Sequence, residues 1–302
     1  EAEDADGEGV PVVLKNGKFG AAGEGVLAAF GLPGKGEIDP TTIMSFFYVF
    51  LFGLMLSDAA YGAIISIACG VVLLKFKRME PSLRKSIKMF FWCGISTLFW
   101  GVMFGGYFGD AITVIARTFF GKTVTIKALW FVPLDDPMRM LVYSLLFGVI
   151  HLFTGLGLKG YLLLKDKNIV GFICDVVSWY LFLIGLILML LPTEIFHSIS
   201  QMDFNFGPGL NMAAKVMAIA GALIILVISG RRKKKKIGLR LALGAYDLYN
   251  ITGWLSDVLS YSRLLALGLA TGVIAQVINQ MGSMMGKSVL GVIFFIVVFI
   301  VG

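Results

Sequence analysis

Arg263 is the residue whose type and position point most directly to chemistry. It lies inside a long apolar run from Leu243 to Met281 and follows three polar residues, Ser256, Asp257 and Ser260. A charged side chain near the middle of a membrane-spanning helix costs roughly 3 kcal/mol on insertion scales. Because that cost needs a compensating role, Arg263 predicts a functional site rather than an ordinary helix face.

The residues around Arg263 predict a helical partner. At about 100° per residue, one stripe of this helix contains Ser256, Ser260, Arg263, Leu267, Ala270 and Ile274. Two pairs of small residues are spaced four apart, Ala266 with Ala270 and Gly268 with Gly272. This spacing allows another helix to approach closely in lipid. We therefore predict that Arg263 faces a neighbouring helix.

Three stretches carry a family resemblance. The first is the run SDVLSYSRLLALGLA, which contains Arg263. The other two are FFYVFLFGLMLSDAAYG (46–62) and FWGVMFGGYFGD (99–110). They resemble the seventh, first and third membrane helices of the stator subunit of rotary V/A-type ATPases, called subunit a or, in prokaryotes, subunit I. In that family the seventh helix carries a characteristic arginine, which Arg263 would match. The resemblance runs from about Pro11 to the last residue.

The resemblance implies a subunit that is not an enzyme by itself but translocates ions within an ATP-driven complex. Such a subunit forms two half-channels against a ring of c-type or K-type rotor subunits. The arginine attracts the ring carboxylate by roughly 4 kcal/mol at about 4 Å and an effective dielectric of about 20. This favours the ionised carboxylate about a thousandfold, so bound H⁺ or Na⁺ leaves, and the fixed charge blocks leakage.

Further polar residues are candidates for the two half-channels. Ser256, Asp257 and Ser260 lie toward the cytoplasmic end, and Gln276, Asn279 and Gln280 toward the other end. Gln276 and Asn279 lie nearly opposite Arg263 on an ideal helix, so they are expected to face the interior of the subunit. Aligning by the arginine places Asp257 where eukaryotic members have a histidine.

Three other residues are candidate channel-lining groups, each with a simpler alternative. Asp58 is predicted either to cap a helix at a turn or to line an aqueous cavity. Asp175 is predicted to pair with a loop lysine or to join the cytoplasmic path. His151 is predicted to hydrogen-bond to a neighbour or to relay protons. The three cysteines have no paired spacing, so no disulfide, metal site or cofactor is expected.

Composition predicts an all-α integral membrane protein. Hydrophobic residues make up 58% of the 302 residues, more than in a typical soluble domain. Most lysines and arginines behind the net charge of +7 fall in three loops, 75–88, 159–167 and 231–240. This alternation places the basic loops in the cytoplasm, and RRKKKK (231–236) also favours contact with anionic lipid. Nucleic-acid binding is therefore not expected.

Composition and hydropathy predict a cytoplasmic linker before residue 41, and a membrane domain of about eight helices at 41–302. The resemblance implies that residues 1–40 are the end of a cytoplasmic domain plus this linker. The predicted bounds of the membrane helices are 42–57, 61–76, 84–109, 138–164, 169–191, 210–229, 243–281 and from 287. The last two are long and tilted, and the final helix is truncated at residue 302. Gly101, Gly105 and Gly109 are predicted to form a packing ridge. Residues 110–137 are predicted to form a non-cytoplasmic loop with a small helix or an interfacial segment.

The resemblance also sets expectations for what adjoins the chain. Glu1–Gly9 resembles an internal cut, so a larger cytoplasmic domain that joins the peripheral stalks is expected before it. A second arginine of the family is expected beyond residue 302. Both ends of the membrane domain are predicted to be cytoplasmic, in a prokaryotic plasma membrane. No GxxxxGK[ST] loop occurs, so ATP is expected to bind other subunits.

Two alternatives to the stator interpretation remain open from the sequence. Arg263 would have a structural role if it paired with an acid of the same subunit, such as Asp175 or Asp58. The chain would instead be a polytopic secondary transporter or channel if Arg263 clamped a substrate. The absence of a half-length repeat weighs against many secondary transporters.

Overall fold

The computed structural model describes residues 14–34, 38–201, 204–228 and 237–301, and the regular elements in these ranges are all helices. The acidic start Glu1–Gly9 and the RRKKKK run lie outside these ranges. In chain order the helices are α1 (Gly20–Phe30), α2 (Thr41–Leu56), α3 (Ala59–Lys75), α4 (Pro81–Phe104), α5 (Ala111–Phe120), α6 (Pro137–Lys165), α7 (Ile169–Phe172), α8 (Ser178–Leu190), α9 (Glu194–Ser200), α10 (Pro208–Ile228), α11 (Ile237–Tyr249), α12 (Ile251–Ser260), α13 (Ser262–Ser283) and α14 (Val289–Val301).

The chain is an all-α membrane protein. Within the described residues, five helical stretches are long and apolar enough to cross a bilayer: Pro81–Phe104, Pro137–Lys165, Ile169–Leu190, Pro208–Val227 and Leu241–Ser283. Helices α2, α3 and α14 are also apolar but shorter, at 16, 17 and 13 residues. The predicted total of about eight spans corresponds to these five plus the three shorter helices, and remains a prediction.

The helices divide into two compact units. The first unit contains the described residues up to Pro137 together with those from Arg263 onward. The second unit contains Met138–Ser262. The predicted division between residues 1–40 and the rest stays a prediction, although helix α1 belongs to the first unit.

The α2–α3 hairpin of the first unit packs against α4 through glycines. The predicted split of the apolar run Thr42–Lys75 into two helices is confirmed, with Asp58 between them. A Cβ atom added to Gly62 would lie 2.3 Å from the backbone nitrogen of Leu98, and one added to Gly101 would lie 1.9 Å from that of Ala59. Only glycine permits such backbone contact between helices.

The predicted glycine ridge at 101, 105 and 109 is wrong. Helix α4 ends at Phe104, because Gly105 adopts a left-handed conformation with φ 74° and caps it. Gly109 also has a positive φ, 67°, and lies in the turn that leads to α5. Of these three glycines only Gly101 lies within α4, whereas Gly105 and Gly109 shape the turn that follows it.

Helix α1 was not predicted within the proposed linker. Its residue Ala22 is buried together with Met89 and Cys93 of α4. A Cβ atom on Gly23 would lie 1.8 Å from the Ser45 hydroxyl oxygen, so α1 also contacts α2 closely. The Gly31–Pro33 break that suggested a linker ends α1 rather than keeping the whole segment irregular.

Asp39 and neighbouring polar residues tie the segment before α1 to the start of α2. The Asp39 carboxylate accepts hydrogen bonds from the Thr41 hydroxyl, from the Thr41 backbone N–H at 2.9 Å and from the Asn16 amide at 2.7 Å. Burial by itself raises the pKa of the Asp39 carboxyl, but these hydrogen bonds together hold it below its ordinary value of 3.8. Nearby, Lys85 of α4 pairs with Glu24 of α1 at 2.5 Å.

Asp39→Asn is expected to lower the melting temperature of the detergent-solubilised protein by about 2 °C at pH 7. Because the folded-state pKa is lowered, the contribution of Asp39 is complete above the unfolded value of 3.8 and is lost as the pH falls through the folded-state value. The melting temperatures of wild type and variant should therefore converge as the pH falls from 5 to about 3. Asp166→Asn, which changes an exposed carboxylate, is the control. A difference that persists unchanged at low pH would contradict the assignment.

The predicted long helix from Leu243 to Met281 is present as the helical stretch Leu241–Ser283, but it is not continuous. It consists of α11, α12 and α13, separated at Asn250 and Tyr261. At both positions the backbone N–H bonds to a carbonyl three residues earlier, Asp247 and Val258 respectively, which tightens the local turn. In contrast, the predicted bounds of α6, α10 and α14 are confirmed to within about two residues.

The predicted helix 169–191 and the loops after α4 and α8 contain short helical elements. The predicted helix 169–191 is present but contains a π-helical turn at Ile173–Val177, between α7 and α8. The predicted small helix in the loop 110–137 is confirmed as α5. A second short helix, α9, lies in the loop after α8 and was not predicted.

Candidate functional site

Arg263 lies at the head of an exposed stripe on α13, which we call the arginine stripe. Its members are Arg263, Ala266, Leu267, Ala270, Ile274, Val277 and Met281, and all seven are exposed. They lie within about 60° of Arg263 around an ideal helix. Because Ala266 and Ala270 are small, the backbone of α13 is accessible to a second helix beside the arginine.

Arg263 has no hydrogen-bond or ion-pair partner among the described residues of the first unit. Asp58, one of the acids suggested as its structural partner, is engaged elsewhere. Its carboxylate accepts N–H groups from Ala60 at 2.9 Å, Tyr61 at 3.2 Å and Gly109 at 2.9 Å. Asp58 is therefore the N-cap of α3, as the simpler alternative predicted.

The opposite face of α13 packs inside the first unit. A Cβ atom on Gly268 would lie 3.5 Å from the Met55 carbonyl oxygen, and one on Gly272 would lie 3.1 Å from Leu134 Cδ1. The two small-residue pairs therefore serve different faces. The alanines lie on the arginine stripe, and the glycines face the interior of the unit.

A cavity of about 400 Å³ adjoins this interior face and extends to Ile274 of the arginine stripe. Among its polar lining residues are Ser57, Asp58, Tyr61, Asp110, Thr113, Thr271 and Gln276. Two candidate site residues, Asp58 and Gln276, thus line one cavity. Ser57, Asp110 and Thr271 were not singled out from the sequence, because hydroxyls and acids at turns are too common to indicate a cavity.

Asn279 is 2% exposed and is engaged with the turn after α4. Its amide nitrogen donates to the Phe108 carbonyl oxygen at 2.8 Å and to Asp110 Oδ1 at 2.9 Å. The structure therefore places Asn279 in a packed contact inside the first unit. Gln276 and Asn279 both lie away from the arginine stripe, as helix geometry predicted.

The other candidates lie in the second unit. Ser256, Asp257 and Ser260 are exposed on α12, where the Ser260 hydroxyl donates to the Asp257 carbonyl oxygen at 2.6 Å. Asp175 is half-buried in the π-helical turn and has contacts of its own. Such turns often occur at functional sites.

His151 of α6 is hydrogen-bonded through Nδ1 to the Tyr261 hydroxyl at 2.7 Å. The Tyr261 ring fits against Gly148, where a Cβ atom would lie 2.5 Å from it. Tyr261 was missed from the sequence, although it stands inside the run that carried the resemblance. Among the residues that the structure describes, no cluster of His, Cys, Asp and Glu is suited to a metal ion.

Known proteins resemble the chain over most of its length. It is 31% identical over 269 residues to the A-type ATP synthase subunit I of Thermococcus kodakarensis, covering 88% of the chain and 37% of the relative. It is 30% identical over 326 residues to the A-type ATP synthase subunit I of Methanocaldococcus jannaschii, covering 98% and 44%. It is 24% identical over 314 residues to the V-type ATP synthase subunit I of Chlamydia pneumoniae, covering 87% and 45%. No protein-family model matches.

These helices, with a charged residue on an exposed helix face, define a polytopic α-helical membrane protein. Over most of its length the chain is similar to subunit I of A-type ATP synthases, at 30–31% identity. It spans about two-fifths of the length of the relatives described above.

Proposed function

We propose that the chain is the membrane part of an ion-translocating stator subunit that works against a rotor ring. The observation that carries this proposal is the arginine stripe. Arg263 is exposed, has no partner in the described part of its own unit, and is followed by small and apolar residues along one face of α13. A guanidinium in this setting fits an acidic group supplied by another helix.

The ring carboxylate is the chemical partner of Arg263 in this proposal. A carboxylate that comes within about 4 Å of the guanidinium is favoured in its ionised form by roughly 4 kcal/mol at an effective dielectric of about 20. It therefore releases H⁺ or Na⁺ on meeting Arg263 and reloads after the rotor has moved on. The coupling follows because the arginine keeps its charge and so bars direct passage.

The half-channels are assigned to two sets of residues. The cavity lined by Ser57, Asp58 and Gln276 serves the non-cytoplasmic side, because its walls include the loop 105–136, which lacks a basic cluster. Ser256, Asp257 and Ser260 serve the cytoplasmic side, since they lie nearer the basic loop 231–240. Asp175 and His151 remain secondary candidates.

In this proposal the other subunits of the complex provide the ring carboxylate, the ATP-binding sites and the peripheral stalks. Rotor subunits carry the intramembrane carboxylate, other subunits bind ATP, and peripheral stalks attach through a cytoplasmic domain. The chain binds no cofactor and translocates H⁺ or Na⁺ in a prokaryotic plasma membrane, with both ends of its membrane domain in the cytoplasm. Several ions must cross for each ATP, since one charge moving through 100 mV corresponds to about 2.3 kcal/mol.

Arg263→Ala in the full-length subunit of the assembled complex is expected to abolish ATP-driven ion uptake into vesicles. The physical reason is that no fixed charge remains to expel the ion from the ring carboxylate. Arg117→Ala is the matched control, because it removes an exposed arginine from α5 of the same unit. Uptake is measured with the complex confirmed as assembled by co-purification. Normal uptake in the Arg263 variant would overturn the proposed function.

A further inference from the structure

We infer that Asn279 is a positioning residue that fixes the rotation of α13 about its axis, and so the direction of Arg263. This positioning role replaces the role as a channel residue that the polarity of Asn279 suggested. The inference rests on the proposed function in one respect only, since it takes Arg263 as the group whose direction matters. The contacts of Asn279 themselves lie entirely within the first unit.

Both amide hydrogens of the Asn279 side chain are donated to the turn that contains Phe108 and Asp110. A carboxamide nitrogen carries two hydrogens, and Asn279 Nδ2 has two acceptors, the Phe108 carbonyl oxygen at 2.8 Å and Asp110 Oδ1 at 2.9 Å. Asn279 is 2% exposed and does not line the cavity. Because both donors are used and the residue is buried, it is poorly suited to bind a passing ion and well suited to hold α13 in place.

The turn that receives these bonds is itself held by α3. Asp58 Oδ2 accepts the Gly109 N–H at 2.9 Å, and the Ala59 N–H donates to the Gly106 carbonyl oxygen at 2.8 Å. Phe108 has a φ of 53°, a conformation that non-glycine residues seldom adopt without support. Hydrogen bonds with the start of α3 therefore hold the turn in one conformation, and the same turn accepts the hydrogen bonds of Asn279.

A second contact one helical turn away completes the positioning. Gly109 lies against α13 so closely that a Cβ atom would come within 2.8 Å of the Ala275 Cβ. Ala275 and Asn279 are four residues apart and lie on the same face of α13. Two adjacent points on one face, one a packing contact and one a pair of hydrogen bonds, define both the rotation and the register of the helix.

Helix geometry connects these contacts to Arg263. Asn279 follows Arg263 by sixteen positions, which corresponds to a rotation of about 160°, so the two side chains leave α13 on nearly opposite faces. A rotation that breaks the Asn279 bonds turns the arginine stripe by the same angle. A slip of one residue would turn Arg263 by about 100°, away from any partner that packs on Ala266 and Ala270.

Asn279→Asp tests this inference in the assembled complex. The substitution places a carboxylate beside Asp110 and the Phe108 carbonyl oxygen, so three acceptors meet without a donor. We expect the ratio of ions transported to ATP hydrolysed to fall roughly tenfold, as for a buried polar contact that becomes repulsive. Asp110→Asn alone should keep the contact, because an amide oxygen can still accept from Asn279; since Asp110 also lines the cavity, this variant gives the baseline for the double variant below. Asn205→Asp, which makes the same change at an exposed amide outside α13 and outside the cavity, is the matched control.

The double variant N279D/D110N is expected to recover part of the coupling ratio, since it returns one donor and one acceptor to the contact. A group that binds ions would not be rescued in this way. A double variant that couples no better than N279D, although D110N alone still couples, would overturn the inference.

A measurement that needs no transport separates this inference from the proposed function. Spin labels on cysteines introduced at Ile274 and Phe99, both exposed residues of the first unit, report the rotation of α13 relative to α4. Asn279→Asp should shift the distance distribution, and the added D110N substitution should move it back. An unchanged distribution would refute positioning by Asn279. Retained transport in Arg263→Ala with a shifted distribution would instead refute only the proposed function.

Discussion

Vesicles that contain the complex with Arg263→Ala are expected to lose a preformed ion gradient in the absence of ATP. In the proposed function the guanidinium opposes any cation that would pass directly between the half-channels. The interaction amounts to roughly 4 kcal/mol at about 4 Å and an effective dielectric of about 20. Since about 1.4 kcal/mol corresponds to a factor of ten, its removal should raise the passive leak by up to about a thousandfold.

The leak is measured as the decay of a pH or Na⁺ gradient after ATP has been removed, with the amount of complex per vesicle held constant. Arg117→Ala should leave the gradient as stable as in wild type, because Arg117 lies on α5, outside the arginine stripe. Arg263→Lys keeps a positive charge and is expected to leak less than the alanine variant. A tight membrane with Arg263→Ala would show that the barrier to ions lies elsewhere.

Gly101→Ala is expected to prevent the first unit from folding. The added Cβ atom would lie 1.9 Å from the Ala59 backbone nitrogen and 2.4 Å from the Asp58 carbonyl carbon. Neither is the flexible end of a side chain, so α4 would have to move away from α3. We expect a loss of at least about 3 kcal/mol, at the upper end of the range for overpacking.

Gly155→Ala is the matched control for this variant. It makes the same change in α6, where the added Cβ atom would meet nothing within 4 Å, and alanine favours a helix more than glycine does. The yield of monodisperse protein in detergent and its melting temperature should fall sharply for Gly101→Ala and stay equal or rise for Gly155→Ala. A normal melting temperature for Gly101→Ala would show that α3 and α4 can separate without cost.

The helices that were predicted correctly from the sequence are those whose ends are determined by residues close to them in the chain. The break between α2 and α3 was expected because SDAAYG interrupts an apolar run too long for one span, and Asp58 caps α3 as such a residue can. The bounds of α6, α10 and α14 follow from apolar lengths and flanking polar loops. These features depend on neighbouring residues, which a sequence shows directly.

Features that depend on distant residues were predicted poorly. Gly101, Gly105 and Gly109 have the spacing of a packing ridge, but the left-handed Gly105 ends α4 before the ridge can form. The break at Tyr261 has no glycine or proline to indicate it, and the ring of Tyr261 contacts Gly148 and His151 in another helix. Tertiary contacts of this kind override the local preference for a continuous helix.

The candidate site was predicted unevenly for the same reason. The opposite directions of Arg263 and Asn279 follow from helix periodicity alone. The partners of Asn279 do not, because Phe108 and Asp110 are about 170 residues away along the chain. Polarity suggested a channel residue, whereas the fold gives Asn279 two bonds within the subunit. The roles of Arg263 and of the half-channel residues remain proposals.

The placement of glycines and alanines on α13 makes this helix a thin partition. Gly268 and Gly272 border the cavity on one face, while Ala266 and Ala270 lie on the arginine stripe. Water in the cavity would carry the electrical potential of one bulk phase deep into the bilayer. In the proposed function, the transmembrane voltage would then fall mainly across the width of α13, and each ion would receive its roughly 2.3 kcal/mol per 100 mV in one short step beside Arg263.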